Sequence, residues 1–145
     1  MTVARQVDVR AIVAKGWTMM FIVFLAMFVS DLTHSAVAGN FAKWSTDPGD
    51  FGLKVLLVIM CIYAAMPMLV MSVSPKWFRA TVAGVTGFFT LFFLAHELTH
   101  LANGDKPFGI LHALDICHHV LGIWVTSAAV VWTKRADAEV LLAET

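Results

Sequence analysis

The chain has 145 residues, of which 59% are hydrophobic and 14% are charged, and its mean hydropathy is +0.79. Soluble domains are about 45–50% apolar and about 25% charged, so a soluble globular chain and a disordered chain are both excluded. Ten basic residues balance ten acidic ones, which removes any global electrostatic case for nucleic acid as a partner. The two cysteines lie in apolar runs and indicate no disulfide framework. Of the classes of protein that this composition allows, a small integral membrane protein remains.

Four apolar segments are long enough to cross a bilayer, which needs roughly 20 residues per helix. They cover about 17–38, 51–73, 80–101 and 110–133. Because the connections between them are short and marked by Gly, Pro or Asn, sequential helices should be antiparallel neighbours. The sequence therefore predicts one all-α integral membrane domain over residues 1–145, an up-down bundle of four transmembrane helices.

The distribution of lysine and arginine predicts the orientation of this bundle. Seven of the ten basic residues lie on the side that holds both termini, and three lie on the other side. We therefore expect cytoplasmic N and C termini in a bacterial-type inner membrane, crossed several times. Trp17, Trp77 and Trp132 fall at the inner boundary, where they are expected to act as interfacial anchors.

The polar residues inside the spans gather in the half of the bundle that lies away from the termini. Ionisable groups are costly in a membrane, so such clustering indicates a functional site. All six histidines and three of the ten acids fall in one outer layer roughly 10 Å thick, on three helices. Imidazole and carboxylate groups are ligands of iron, copper, zinc or manganese. The predicted metal ligands are Asp31, His34, His96, Glu97, His100, His112, Asp115, His118 and His119.

An acid precedes a histidine by three residues on each of these helices, which places both side chains on one helix face. The pairs are Asp31 with His34, Glu97 with His100, and Asp115 with His118. The pattern resembles the Glu-x-x-His motif of ferritin-like di-iron bundles, which implies a dinuclear site with bridging carboxylates. The second helix contributes no carboxylate, in contrast to those bundles. A single metal, with carboxylates orienting its imidazole ligands, therefore stays open.

The fourth span places its polar residues unevenly around the helix. His112, Asp115 and His119 fall within about 60° of one another, whereas His118 lies on their flank. Cys117 lies nearly opposite Asp115 and is expected to pack as a small apolar residue. On the third span, Gly84 and Gly87 belong to a stripe of small residues that would allow close helix approach.

The segment from His96 to His100 also resembles the HExxH motif of zinc metallopeptidases. That resemblance implies that both histidines hold zinc while Glu97, as the catalytic residue, activates a water molecule. Four helices leave little room for a substrate-gating helix, and the DLTH duplicate in the first span favours Glu97 as a ligand. A small intramembrane metallopeptidase is therefore kept as an alternative.

Several uses of such a centre remain open. The first is a metal-dependent oxidoreductase that acts on a small molecule, a quinol or an oxygen species, with iron, copper or zinc and one or two metal ions. The second is a membrane cytochrome with b-type haem held by two histidines from facing helices. The third is metal ion transport or delivery. The partners considered are the lipid bilayer, a quinone, further copies of the chain and a larger membrane complex.

Overall fold

The computed structural model consists of four long α-helices, and the residues it describes contain no strand. It describes residues 8–39, 51–103 and 110–143, with the side chains in these ranges except at 51–53, 100, 110–112 and 136–143. The helices are α1 (Val9–Val37), α2 (Phe51–Ser72), α3 (Lys76–Asn103) and α4 (Ile110–Ala143). Each is long and apolar enough to cross a membrane, which confirms the all-helical, four-helix prediction and indicates a multi-pass membrane protein.

The first helix begins eight residues before the predicted span, at Val9 rather than at Trp17. Its start is set by Asp8, whose side chain accepts a hydrogen bond from the Ala11 N–H at 3.2 Å. Trp17 is consequently about two turns inside the helix and fully buried against Tyr63 and Phe89. The prediction that Trp17 is an interfacial anchor is therefore wrong, because its ring packs on neighbouring helices.

The other two tryptophans of the predicted inner boundary differ from each other. Trp132 is buried, and Arg79 lies over its ring at 5.3 Å from the centroid, so its interfacial role is also wrong. Trp77 is exposed over 68% of its surface, which suits an interfacial side chain.

Sequential helices run antiparallel, as the side-chain contacts show. Near the start of α1, the Arg10 side chain donates a hydrogen bond to the Val70 carbonyl, near the end of α2, at 2.7 Å. Near the start of α3, Arg79 contacts Trp132, far along α4. The end of the bundle where α1 and α3 finish and α2 and α4 begin is called the histidine end below, and the other is called the opposite end.

The helices are not all neighbours in the way that the short connections predict. Extensive contacts join α1 to α2, α1 to α4, and α3 to α4, but the α2–α3 pair is not among them. A groove of about 490 Å³ lies between α2 and α3 instead. Large side chains keep these backbones apart, since Phe89 of α3 reaches Tyr63 of α2 with ring centroids 5.5 Å apart.

Most large exposed side chains of the bundle are apolar, and its mainly apolar core includes five buried polar or charged side chains among the described residues. Ile22, Met68 and Leu91 are examples of apolar residues with most of their surface exposed. The buried Thr86 and Thr90 each donate a hydroxyl hydrogen bond to the carbonyl four residues earlier. This distribution is expected for a bundle surrounded by lipid, where exposed polar groups find no partner.

Two glycines mark the closest helix contacts. A Cβ atom at Gly16 would collide with Val125, and one at Gly122 would collide with Thr90. By contrast, a Cβ at Gly84 would have no atom within 4 Å, and one at Gly87 would meet only Thr126, at an ordinary 3.6 Å. Glycines on α1 and α4 therefore set the helix spacing inside the bundle, whereas the predicted stripe on α3 leaves Gly84 open for contact between subunits.

We predict that Gly122→Ala lowers the free energy of unfolding by about 1–3 kcal/mol, because the new methyl group overpacks the contact with Thr90. Gly84→Ala is the matched control and should be neutral, or stabilising by up to about 1 kcal/mol. Unfolding by titration with sodium dodecyl sulfate measures both. Adding Thr90→Ala to Gly122→Ala should cost less than the sum of the two single changes. Equal effects at Gly84 and Gly122 would contradict this packing.

Candidate functional site

The ring of His118 lies where all four helices meet, with 1% of the residue exposed. Its ring centroid is 6.3 Å from that of Phe24 on α1, 5.9 Å from Tyr63 on α2 and 5.0 Å from Phe93 on α3. His118 is thus the centre of an aromatic cluster, which its predicted place on the flank of the polar face did not by itself indicate. The buried face of α4 follows a helical repeat through residues 118, 122, 125, 129 and 132. Outward-facing residues of α4 such as Ile116, Val120 and Ile123 are equally apolar, so this repeat becomes evident only in the packed bundle.

Tyr63 forms a buried hydrogen bond with His118. The phenol oxygen lies 2.9 Å from the imidazole Nε2, and Tyr63 is fully buried. Sequence reasoning missed this residue, because it considered only ionisable groups with ligand chemistry. The available signal was that Tyr63 is the sole tyrosine of the chain and lies in an apolar helix, where its hydroxyl needs a partner.

Three further imidazole nitrogens are buried beside this hydrogen bond. Within the described part of the chain, Nδ1 of His118 and both ring nitrogens of His119 have no hydrogen-bond partner. The two rings are neighbours, with centroids 6.0 Å apart. A neutral imidazole carries one N–H donor and one acceptor nitrogen, so lone pairs and N–H groups are both left unsatisfied here. Each such group costs about 1–3 kcal/mol, which makes a bound ligand at this place favourable.

Two buried carboxyl side chains lie about one helical turn from His118. Phe93 contacts His118 and so sets the register between α3 and α4. Glu97 lies four residues beyond Phe93, and Asp115 lies three residues before His118, which are rises of about 6 Å and about 4.5 Å. Because the two helices are antiparallel, both rises lead toward the histidine end. Glu97 and Asp115 are both buried, so these acids belong to the interior of the same half as His118.

The remaining predicted ligands are placed less centrally. His34 and His96 are exposed and Asp31 is half-buried, whereas the side chains of His100 and His112 lie outside the described residues. Among the side chains that are described, no three of His, Cys, Asp or Glu converge well enough to hold a metal ion. Cys117 is exposed, so the prediction that it packs as a small core residue is wrong. It lies on the side of α4 turned away from the neighbouring helices.

The side-chain directions in the HExxH segment do not favour a peptidase centre inside the bundle. His96 is exposed, whereas the adjacent Glu97 is buried. A zinc site of the HExxH type needs both of its histidines as ligands. The His96 side chain points away from the interior that holds Glu97.

The interior of the opposite half contains no buried ionisable side chain among the residues described. Its buried polar groups include the hydroxyls of Thr86 and Thr90, which bond to their own helix, and the indole Nε1 of Trp17, which has no hydrogen-bond partner among the described residues. No polar path therefore continues from His118 through the described interior of the bundle.

Comparisons with protein-family models, with curated proteins and with solved structures give no match to this chain.

We predict that Tyr63→Phe lowers the free energy of unfolding by about 1–3 kcal/mol, because it leaves Nε2 of His118 buried without its partner. Replacing both partners, in Tyr63→Phe with His118→Phe, should cost less than the sum of the single changes. The hydrogen bond itself can be followed by resonance Raman bands of the phenol, since the chain has one tyrosine. Strict additivity in the double variant would contradict the coupling.

Proposed function

We propose that the chain is a membrane protein that binds a transition metal ion in the histidine half of the bundle and uses it for redox chemistry. The observation that carries the proposal is the group of buried imidazole nitrogens of His118 and His119 that lack partners among the described residues. Neutral imidazole nitrogens are common metal ligands, and a metal ion would satisfy lone pairs that lipid and apolar side chains cannot. His118 and His119 are therefore the proposed core of the site.

The hydrogen bond between Tyr63 and His118 supports a ligand role for His118. When Nε2 carries the proton and donates to the phenol oxygen, the lone pair resides on Nδ1, which is buried and faces no described partner. Metal-binding histidines commonly use their second nitrogen in this way, and the second bond orients the ring. Tyr63 is then a positioning residue, which holds His118 in the tautomer that binds through Nδ1.

Carboxylates complete the proposed site and offset the charge of the metal ion. Glu97 and Asp115 are buried about one turn from His118 and can supply oxygen ligands or orient the imidazoles. His100 and His112 belong to the same end of the bundle by their position in α3 and α4, and we propose them as further ligands. The acid-x-x-histidine pairs permit either one metal ion or two.

The metal determines the chemistry that this ligand set performs. Imidazole and carboxylate ligands suit iron and copper, which exchange electrons, and zinc, which does not. We favour iron or copper and an oxidoreductase that acts on a quinol, an oxygen species or another small molecule. A haem is less favoured, because rings of Phe24, Tyr63 and Phe93 already surround His118. Transport is less favoured, because the described interior of the opposite half offers no polar path.

We further propose that both termini are cytoplasmic and that the site lies toward the outer face of a bacterial-type inner membrane. The apolar exterior of the bundle and the excess of lysine and arginine beside the termini support this orientation. Reporter fusions at the C terminus test it, since a periplasmic alkaline phosphatase reporter should stay inactive there.

The proposal predicts one or two equivalents of iron, copper or zinc per chain in protein purified without a polyhistidine tag. Plasma mass spectrometry measures the content. His119→Gln should remove most of the metal, because it takes away a proposed ligand. His34→Gln is the matched control: it changes an exposed histidine of the same layer and should retain more metal than His119→Gln. Tyr63→Phe should weaken metal binding roughly 10–100-fold, as loss of an orienting partner does.

The Glu97→Gln variant distinguishes a metal-ligand role of Glu97 from a catalytic-base role. As a ligand it should lose metal in the variant, whereas as a catalytic base it should keep the metal and lose turnover. A folded wild-type protein that contains no metal and takes up none on titration with Fe(II), Cu(II) or Zn(II) would contradict the proposal. Equal metal loss in His34→Gln and His119→Gln would contradict the assigned centre.

A further inference from the structure

The groove between α2 and α3 carries an inference that is independent of the metal site. It has a volume of about 490 Å³ and is lined by five residues of α2 between Lys54 and Ile62 and by Phe88, Phe89 and Phe92 of α3. Because α2 and α3 share no extensive interface, the groove opens sideways toward the surroundings of the bundle. In a membrane this direction leads into the lipid.

The size and lining of the groove suit a single flexible apolar chain. The segment from Lys54 to Ile62 rises about 12 Å along α2. All lining residues except Lys54 are apolar, and the rings of Phe88 and Phe92 stack with centroids 6.0 Å apart. A partner helix that crosses the membrane is about 30 Å long, more than twice the length of this groove. The groove therefore suits one acyl chain better than a helix.

Lys54 places a positive charge at one end of this groove. It is exposed and lies three residues after the start of α2, at the histidine end, where the helix reaches the edge of the predicted span. Long lysine side chains lay their methylene groups along apolar surface and extend the ammonium group to the membrane interface. Phosphate groups of lipids lie at that level. The groove therefore combines an apolar slot with a cation where a lipid headgroup begins.

We propose that this groove binds one acyl chain of an anionic phospholipid from the bilayer, with the lipid phosphate against the Lys54 ammonium group. The charge of Lys54 favours an anionic headgroup, and the volume favours a single chain. A neutral quinone would fill the slot but would make no use of the charge of Lys54. Phe89 forms part of the groove wall and also contacts Tyr63, so the bound chain lies one ring from the aromatic cluster.

Photo-crosslinking of the full chain in nanodiscs tests this site. Phosphatidylglycerol and phosphatidylcholine that carry the same diazirine-labelled acyl chain are compared, and labelled peptides are identified by mass spectrometry. Phosphatidylglycerol should label residues 55–62 and 88–92 preferentially. Lys54→Gln should reduce that labelling roughly fivefold, the effect expected for one lysine at a membrane surface. Lys15→Gln, an exposed lysine near the opposite end, should leave it unchanged.

A second variant tests the slot independently of its charge. Val58→Trp introduces a large ring into the groove and should reduce labelling by both lipids. The metal content should stay at the wild-type level in both groove variants, which separates this proposal from the metal site. Equal labelling by the two lipids, an unchanged signal in Lys54→Gln or displacement by a neutral quinone alone would overturn the anionic lipid site. Unchanged labelling in Val58→Trp would overturn the groove as its location.

Discussion

The burial of His118 among aromatic rings is the constraint on which the rest of the bundle depends. An imidazole has two polar nitrogens, and in a membrane interior neither water nor lipid can satisfy them. Tyr63 satisfies one nitrogen from α2, while Phe24 and Phe93 enclose the ring from α1 and α3. One side chain of α4 thereby contacts all three other helices at one level of the bundle. The second nitrogen, together with those of His119, is what a metal ion would satisfy.

The two halves of the bundle differ in the side chains that they bury. Toward the opposite end, the close contact at Gly16 and a mainly apolar core hold the helices together. Arg10 adds a hydrogen bond between α1 and the last turn of α2. The histidine half holds Glu97 and Asp115 inside, which is favourable only with a counter-charge or a proton. A rigid, apolar half thus supports a polar half that can hold a ligand in a defined geometry.

Composition and residue spacing were sufficient to predict four long apolar helices. Both the length of an apolar segment and the free-energy cost of a charge inside a membrane can be estimated from the sequence alone. The same cost predicted that acids and histidines gather at one end, and Glu97 and Asp115 are indeed buried there. The central role of His118 was missed, because packing against three other helices decides which face of α4 is inside. Tyr63 was missed because its role depends on a contact between residues 55 positions apart. The gap between α2 and α3 arises because the rings of Tyr63 and Phe89 are large where they meet. The spacing of apolar residues along the sequence does not predict this contact.

The most direct test of metal binding at His118 and His119 is nitrogen NMR of protein labelled with ¹⁵N-histidine. Spectra are recorded before and after the addition of Zn(II) as a diamagnetic probe. Signals of His118 and His119 are assigned from His118→Gln and His119→Gln. With metal bound, the signals of His118 Nδ1 and of one His119 nitrogen should shift to metal-bound positions, while His118 Nε2 keeps its proton and its bond to Tyr63. Shifts confined to the exposed His34 and His96, with His118 and His119 unchanged, would contradict it.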